Sequence, residues 1–461
     1  MSGFVVWRRG GGGGGGAAAA AVAASCVRSG VSAYSQVPSV ARHLHVTMAA
    51  SAAAAGGSAS SISQQEMVID RQKTAAVLNP KEATPEKVLP PDKIGNQKKR
   101  SSSSSKFLLL GKSEEELQDL AAAHGERKYR GRQLHQLIYK NKAKEIQDCA
   151  QLPKLFRDSL ETAGWSIGRA PIHHVATSSD GTAKILLQLV DDRLVETVGI
   201  PVEETPGANR LTACVSSQVG CPLKCTFCAT GKGGFFRSLK PHEIVEQVLA
   251  IEEMFNHRVT NVVFMGMGEP MLNLTNVLAA LRVLNQDLHI GQRMMTISTV
   301  GVPNTIARLA THKLQSTLAI SLHAPNQLLR SQIVPSAKAY PLEALMEDCS
   351  HYFKTTGRRL SFEYTLLEGI NDQKHHAEEL ANLLHHWELG RHVNIIPYNP
   401  VADSEFRRPR KQAILEFVET LAARRVTASV RQTRGLDANA ACGQLRNEFQ
   451  KVPIRVPSGP S

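Results

Sequence analysis

"EIVEQVLAIEEMFNHRVTNVVFMGMGEP" (Glu243–Pro270) decides how this chain folds. Its first half reads as a helix, and "NVVFMGMGEP" (Asn261–Pro270) as a buried strand that ends on a polar turn. The same unit then repeats. "LTNVLAALRVLN" is helical and "RMMTISTVG" (Arg293–Gly301) a strand; "PNTIARLATH" is helical and "STLAISLHAP" (Ser316–Pro325) a strand. "PLEALMEDCSHYF", "HAEELANLLHHW" and "RKQAILEFVETLAARR" are helices that lead into the strands "RLSFEYTLLEG" (Arg359–Gly369), "HVNIIPYNP" (His392–Pro400) and "TASVRQTRG" (Thr427–Gly435). Regular alternation of this kind means parallel strands joined by crossover helices. About six units predict an α/β fold with a full or partial βα barrel. A doubly wound open sheet is the other option, but no GxGxxG stands at a strand–helix turn to favour it.

The polar residues fall where a barrel would use them. Gly268 and Glu269, Ser298, Ser321, His323 and Asn399 each lie toward the C-terminal end of a predicted strand. That face carries the chemistry of βα barrels.

Upstream, the period changes. "RLTACVSS" (Arg210–Ser217), "RLVETVGIP" (Arg193–Pro201) and "AKILLQL" read as strands, with Asp191–Asp192 as a turn. Before them come three amphipathic helices, in Ser113–Gly125, Arg130–Lys140 and Leu152–Gly164. Ser113 is the expected N-cap of the first, with Glu116 at the capping-box position. The organisation expected is a transit peptide over 1–65, a disordered linker over 66–106, and a helical RNA-binding domain over 107–165. A β-rich connector over 166–209, the barrel over 210–435 and a C-terminal segment over 436–461 follow.

Net charge is +13, and residues 1–105 hold twelve Lys/Arg against five Asp/Glu, which is +7 of it. The remaining +6 permits an RNA partner without requiring one. Arg127, Lys128, Arg130, Arg132, Lys140 and Lys142 in the helical part, and Arg431, Arg434 and Arg446 near the C-terminus, are candidates for phosphate contact. From Met1 to Gln65 there is no Asp or Glu, while Arg8, Arg9, Arg28 and Arg42 are present among Ala, Ser and Gly. This composition predicts an organelle transit peptide, to the chloroplast with the mitochondrion as alternative. No apolar run reaches the ~18–20 residues of a membrane span, so no membrane partner is expected, and a monomer is.

Four of the eight cysteines stand in "CVSSQVGCPLKCTFCATGKGG" (Cys214–Gly234). Sparse cysteine that clusters points to metal or catalysis in a reducing compartment rather than to a disulfide scaffold. Cys221, Cys225 and Cys228 form C-x3-C-x2-C. Three thiolates so spaced can hold three irons of a [4Fe-4S] cluster and leave the fourth open. Structural zinc bound by these three and Cys214 is the competing reading, although zinc sites usually use two short-spaced pairs.

C-x3-C-x2-C with Phe227 before its last cysteine resembles the radical S-adenosylmethionine (SAM) superfamily. "GMGEP" (Gly266–Pro270) looks like that superfamily's SAM-binding turn. Together "CVSSQVGCPLKCTFCATG", "NVVFMGMGEPMLN", "ISLHAPN", "NIIPYNP" and "TRGLDANAACGQL" closely resemble the RlmN family, over roughly residues 107–450. Those enzymes methylate C2 of an adenine in large-subunit rRNA and, in some members, tRNA. The resemblance implies that Cys221, Cys225 and Cys228 bind the cluster. It implies that Gly268, Glu269, Ser298, Ser321, Leu322, His323 and Asn399 line the SAM site. Cys442 would carry the methyl group, Cys214 would resolve the intermediate, and Glu196 would accept the proton.

C2 lies between two ring nitrogens and is too electron-poor to attack a sulfonium methyl, so ordinary transfer fails. The implied route uses two SAM molecules, a methyl-cysteine at Cys442 and a covalent RNA adduct. It ends in a Cys214–Cys442 disulfide that an external thiol must reduce. An electron donor such as flavodoxin or ferredoxin is also implied. The alternatives are C8 methylation, which related enzymes perform, and a non-enzymatic RNA-binding protein with a structural metal. Cys149 and Cys349 lie in helical patterns and read as core thiols.

Overall fold

The computed structural model describes residues 107–205, 208–389 and 392–446. The expected transit-peptide and linker segments, Cys26, and the chain beyond Arg446 lie outside the described residues.

The core is one ten-stranded sheet. Its strands are β1 (Ile172–Thr177), β2 (Ala183–Gln188), β3 (Leu194–Thr205), β4 (Ala208–Cys214), β5 (Asn261–Phe264), β6 (Met295–Thr299), β7 (Thr317–Ser321), β8 (Leu360–Leu366), β9 (His392–Pro397) and β10 (Thr427–Val430). They lie side by side in the order of the chain, β1 to β10. β1 to β4 pair antiparallel, and from β4 to β10 every neighbour is parallel. This order decides between the two architectures. A doubly wound sheet reverses direction at a switch point and takes helices on both faces. Here the sheet grows one way only, and crossovers of one hand then put every helix on one face. The parallel part is therefore a partial βα barrel with a helical outside and a concave inside.

Burial alternates accordingly. Val262, Phe264, Met295, Ile297, Leu318, Ile320, Phe362, Val393 and Ile395 are buried against the helices. The alternate positions Ser298, Ser321, Glu363, Asn394 and Ser429 face the concavity, and the register aligns Ser321 with Glu363, Glu363 with Asn394, and Asn394 with Ser429. A barrel filled with apolar layers would be a closed core; a polar inner face is a binding cleft.

The connector strands extend the barrel sheet itself, and β1 is one that the sequence pattern did not reveal. Its residues are mostly exposed, so no apolar alternation marks it. The hairpin Gln218–Gly220/Phe235–Ser238 and the helix Gln327–Ile333 also escaped the sequence reading. The N-terminal helices form at Glu114–Ala123, Tyr129–Tyr139 and Lys154–Thr162. Ser113 caps the first: Glu116 N–H donates to Ser113 Oγ at 3.2 Å, and Ser113 N–H donates to the Glu116 carboxylate at 2.8 Å. Arg169 with Glu246 at 2.6 Å, Lys142 with Glu252 at 2.9 Å and His135 with Asp287 at 3.0 Å fasten this region to the barrel helices. Cys149 and Cys349 are wholly buried core thiols.

Candidate active site

Cys221, Cys225 and Cys228 sit on the loop between β4 and the helix Pro241–Phe255. Cys221 N–H donates to Gly234 O at 2.9 Å, and Cys228 N–H to Cys225 O at 3.1 Å. Cys221, Cys225 and Phe227 pack against an apolar cluster that includes Leu223, Val300, Ile333 and Val334. Burial pushes the Cys221 thiol up to about 12 and Cys225 well above its usual range; Cys228 nearby raises both. Cys221, Cys225 and Cys228 influence one another beside an apolar nest. Three thiols on one loop are the donor set that would hold three irons of a [4Fe-4S] cluster.

Next to this loop stand the residues that the resemblance assigns to SAM. Gly268 has φ +98°, and a Cβ there would sit 2.5 Å from Gln218 Cβ. This turn aims Glu269 inward. Its two carboxylate oxygens accept from Met271 N–H at 3.0 Å and Val300 N–H at 3.1 Å. Burial raises its pKa to about 7, against those hydrogen bonds. Ser298 and Ser321 hydroxyls meet at 3.1 Å across β6 and β7. Leu322 is buried, and its N–H donates to Glu363 O at 3.0 Å. His323 has φ +61° and packs edge-on to Phe227 at 4.8 Å. Burial lowers its pKa to about 3, so the ring is neutral. Thr365 N–H donates to His323 Nδ1 at 3.1 Å, which leaves the ring proton on Nε2.

Asn399 does something the sequence did not suggest. Its amide donates to Cys442 O at 3.0 Å, and its oxygen accepts from Thr433 Oγ1 at 3.1 Å. It thus joins the SAM wall to the C-terminal loop. Ala229 N–H to Gly443 O at 2.8 Å and Thr230 Oγ1 to Leu445 O at 2.6 Å seat the same loop on the cysteine segment, and Gln444 Nε2 to Pro400 O at 2.7 Å ties it to the end of β9.

The β1–β2 turn holds the loop's other side. Gly435 N–H donates to Asp180 Oδ2 at 3.0 Å, Ser179 N–H donates to Asp437 Oδ2 at 3.0 Å, and Ser178 hydroxyl donates to Asp437. Gly435 has φ +72°, and a Cβ there would lie 2.8 Å from both Ala440 Cβ and Thr182 Cγ2. Cys442 ends up solvent-accessible, with interior groups for neighbours. Its surroundings push its thiol up, Arg431 pulls it down, and Cys228 and Glu363 raise it again. Cys214, at the end of β4, is pushed by burial to about 12; Cys442 raises it further and Arg431 lowers it. So Cys214 and Cys442, far apart in sequence, share the neighbourhood of Arg431, and Cys228 reaches Cys442 as well.

Glu196 belongs to the same face. Val198 pairs with Cys214 across β3 and β4, and Glu196 lies two residues away on that side. Lys184 Nζ stands 3.2 Å from Glu196 Oε1 and donates to Asn439 O at 3.1 Å. Glu196 and Lys184 side chains are only 2% and 12% exposed, so this pair is inside the protein. Lys184 went unremarked in the sequence, although a lone lysine among Ala183, Ile185, Leu186 and Leu187 is a usable signal. Arg431, a candidate for phosphate contact, pairs with Glu363 at 3.3 Å within the cleft. Arg446 pairs with Asp403, and Lys128, Arg130, Arg132 and Lys142 each have a carboxylate partner. Arg127 and Lys140 remain exposed without one among the described residues.

Comparison with known proteins agrees with this arrangement. The family model of the radical SAM superfamily matches residues 215–384. A protein of Thermosynechococcus vestitus called "Probable dual-specificity RNA methyltransferase RlmN" is 54% identical over 337 residues, which is 73% of this chain and 97% of that protein. Proteins of the same description from Acaryochloris marina and Synechocystis are 53% and 52% identical, with 93% and 94% of their lengths covered. The crystal structure of a radical SAM methyltransferase from Sphaerobacter thermophilus superposes with a TM-score of 0.70 at 40% identity, over 74% of this chain and 99% of that one.

Proposed function

The chain belongs to the RlmN family of dual-specificity RNA methyltransferases, and on that premise we propose how its own residues divide the work. The reaction is methylation of C2 of adenine in RNA, with SAM and a [4Fe-4S] cluster as cofactors. C8 methylation and a non-enzymatic metal protein are not favoured by these relatives. When bound, the two cofactors supply the methyl group and the one-electron chemistry that makes it reactive toward an electron-poor carbon.

Cys221, Cys225 and Cys228 hold the cluster. Glu269 receives the SAM ammonium, beside Gly268, Ser298, Ser321, Leu322, His323 and Asn399. Cys442 Sγ is the methyl carrier. Glu196 accepts the proton lost from C2, with Lys184 fixing its carboxylate. Cys214 Sγ would then attack Cys442 Sγ: the S–S bond forms as the Cys442 C–S bond breaks, the departing carbon takes the Cys214 proton to become the new methyl, and the one surplus electron of the radical adduct would return to the bound cofactors, leaving a disulfide. The observation that carries this division is the meeting of Cys214 and Cys442 in one cleft that also contains Glu196 and Arg431.

The RNA substrate is read as large-subunit rRNA and tRNA, approached over the residues 107–165 that include exposed Arg127 and Lys140. An electron donor of flavodoxin or ferredoxin type and a thiol reductant complete the cycle. The chain acts as a monomer in the chloroplast, which the acid-free composition of residues 1–65 supports. No helix among the described residues is long and apolar enough to cross a membrane.

Anaerobic reconstitution with SAM, a reductant and plastid rRNA or tRNA tests the reading. The expected product is 2-methyladenosine by nucleoside mass spectrometry. SAM cleavage without any methylated adenosine would overturn it.

A further inference from the structure

Arg330, on the helix Gln327–Ile333, is only 1% exposed. Its guanidinium donates to Val300 O at 2.6 Å and Leu322 O at 3.1 Å, with Ser321 O at 3.5 Å. These carbonyls lie just past β6 and β7, beside the residues that face SAM. They take the Nε and Nη2 hydrogens but carry no charge. Among the described residues no carboxylate pairs with Arg330. Buried charges in proteins are normally paired, because desolvation of an isolated ion is costly.

The compensating charge lies next to the helix. Thr226, between two of the cluster cysteines, donates from N–H and Oγ1 to Ile333 O at 3.0 and 3.1 Å, and so bolts the cysteine loop to the Arg330 helix. Ile333 and Val334 belong to the apolar cluster against which Cys221 and Cys225 pack. Of the acidic groups that act on the guanidinium, Cys225 is the strongest. A neutral thiol offers no anion; a metal-bound thiolate does.

We propose that Arg330 is the fixed counter-charge of the cluster held by Cys221, Cys225 and Cys228, and that it raises the cluster's reduction potential. The proposal rests on the cluster reading above. A buried cation favours the more negative, reduced cluster, which helps a weak donor reduce it. The same guanidinium ties the cluster loop to the SAM wall through Val300 and Leu322.

The test uses the full chain, reconstituted anaerobically, with Arg330→Lys, Arg330→Gln and Arg330→Met. Iron content and the midpoint potential by EPR-monitored titration are read first without SAM. Lys keeps the charge, and Gln keeps amide donors for the carbonyls. Arg330→Lys is expected near the wild-type potential. The two neutral variants are expected to favour the oxidised cluster at least tenfold more, about 59 mV more negative for one electron. Folded neutral variants that take up no iron, while Arg330→Lys does, would also support the proposal. An unshifted potential in a loaded neutral variant would overturn it. A shift seen only after SAM is added would assign the counter-ion to the SAM carboxylate instead, and also overturn it. If neither neutral variant folds as the metal-free chain, Arg330 is scaffold and the proposal fails. Failure of the wild-type chain to bind iron would sink the cluster reading itself.

Discussion

Glu269 gives SAM binding a proton signature. Its carboxyl is 3% exposed, and burial raises its pKa from 4.5 to about 7. That rise corresponds to roughly 3 kcal/mol spent in ionising the group in the SAM-free protein. Because the folded value is raised, the stability it contributes is complete below about 4.5 and is lost as pH rises through about 7. An ammonium placed against the carboxylate reverses the balance, so SAM binding below pH 7 must expel a proton. At pH 6 about nine in ten Glu269 side chains carry that proton, while the SAM amino group, with an ordinary pKa of about 7.7–8.0, is already charged. Calorimetry of SAM binding to the reconstituted protein at pH 6, in buffers of different ionisation enthalpy, should count close to one proton released. Affinity should fall about tenfold for each pH unit below 7. Glu269→Gln should release none. It also presents an amide NH2 where Met271 N–H or Val300 N–H needs an acceptor, a stability loss of about 1–3 kcal/mol. A wild-type proton count near zero at pH 6, or the same count in Glu269→Gln, would refute the assignment.

Cys442→Ala should bind cluster and RNA yet form no product and no adduct, whereas Cys214→Ala should accumulate a denaturation-resistant protein–RNA species on gels. Loss of iron in Cys214→Ala without an adduct would make Cys214 a metal ligand. Lys184→Met removes the cation beside Glu196 and the donor to Asn439; a stability loss of about 1.5–3 kcal/mol, slower adduct resolution and faster proteolysis near residue 439 are expected, with Arg rescuing in part. Gly435→Ala forces a side chain into left-handed backbone against Ala440 and Thr182. It should cost about 1–2 kcal/mol from backbone strain alone and lower activity while cluster content by iron assay stays unchanged. A fluorescent reporter fused to residues 1–65 should reach the chloroplast, and a cytosolic signal would refute that targeting.

The βα alternation from Glu243 onward was legible in the residues because the strands are short apolar-rich runs and the helices between them keep a separate period. The close spacing of Cys221, Cys225 and Cys228 was legible for the same local reason: one loop carries all three. Ser298, Ser321, His323 and Asn399 could be placed at strand ends from the pattern alone. What lay beyond the sequence were the relations across strands. Arg431 looks like a surface cation in "SVRQTRG", and only the register of β8, β9 and β10 turns it inward to Glu363. Lys184 and Asn439 touch because the β1–β2 hairpin reaches the C-terminal loop. Arg330 lies in a short helix with no motif, and its burial without a carboxylate is a property of packing. Periodicity reports which face of its own element a residue occupies, and says nothing of what the fold brings opposite that face. The meeting of Cys214 with Cys442 is of that second kind: the resemblance implied it, but only the closing of the C-terminal loop over the concave side of the sheet places the two thiols in one cleft.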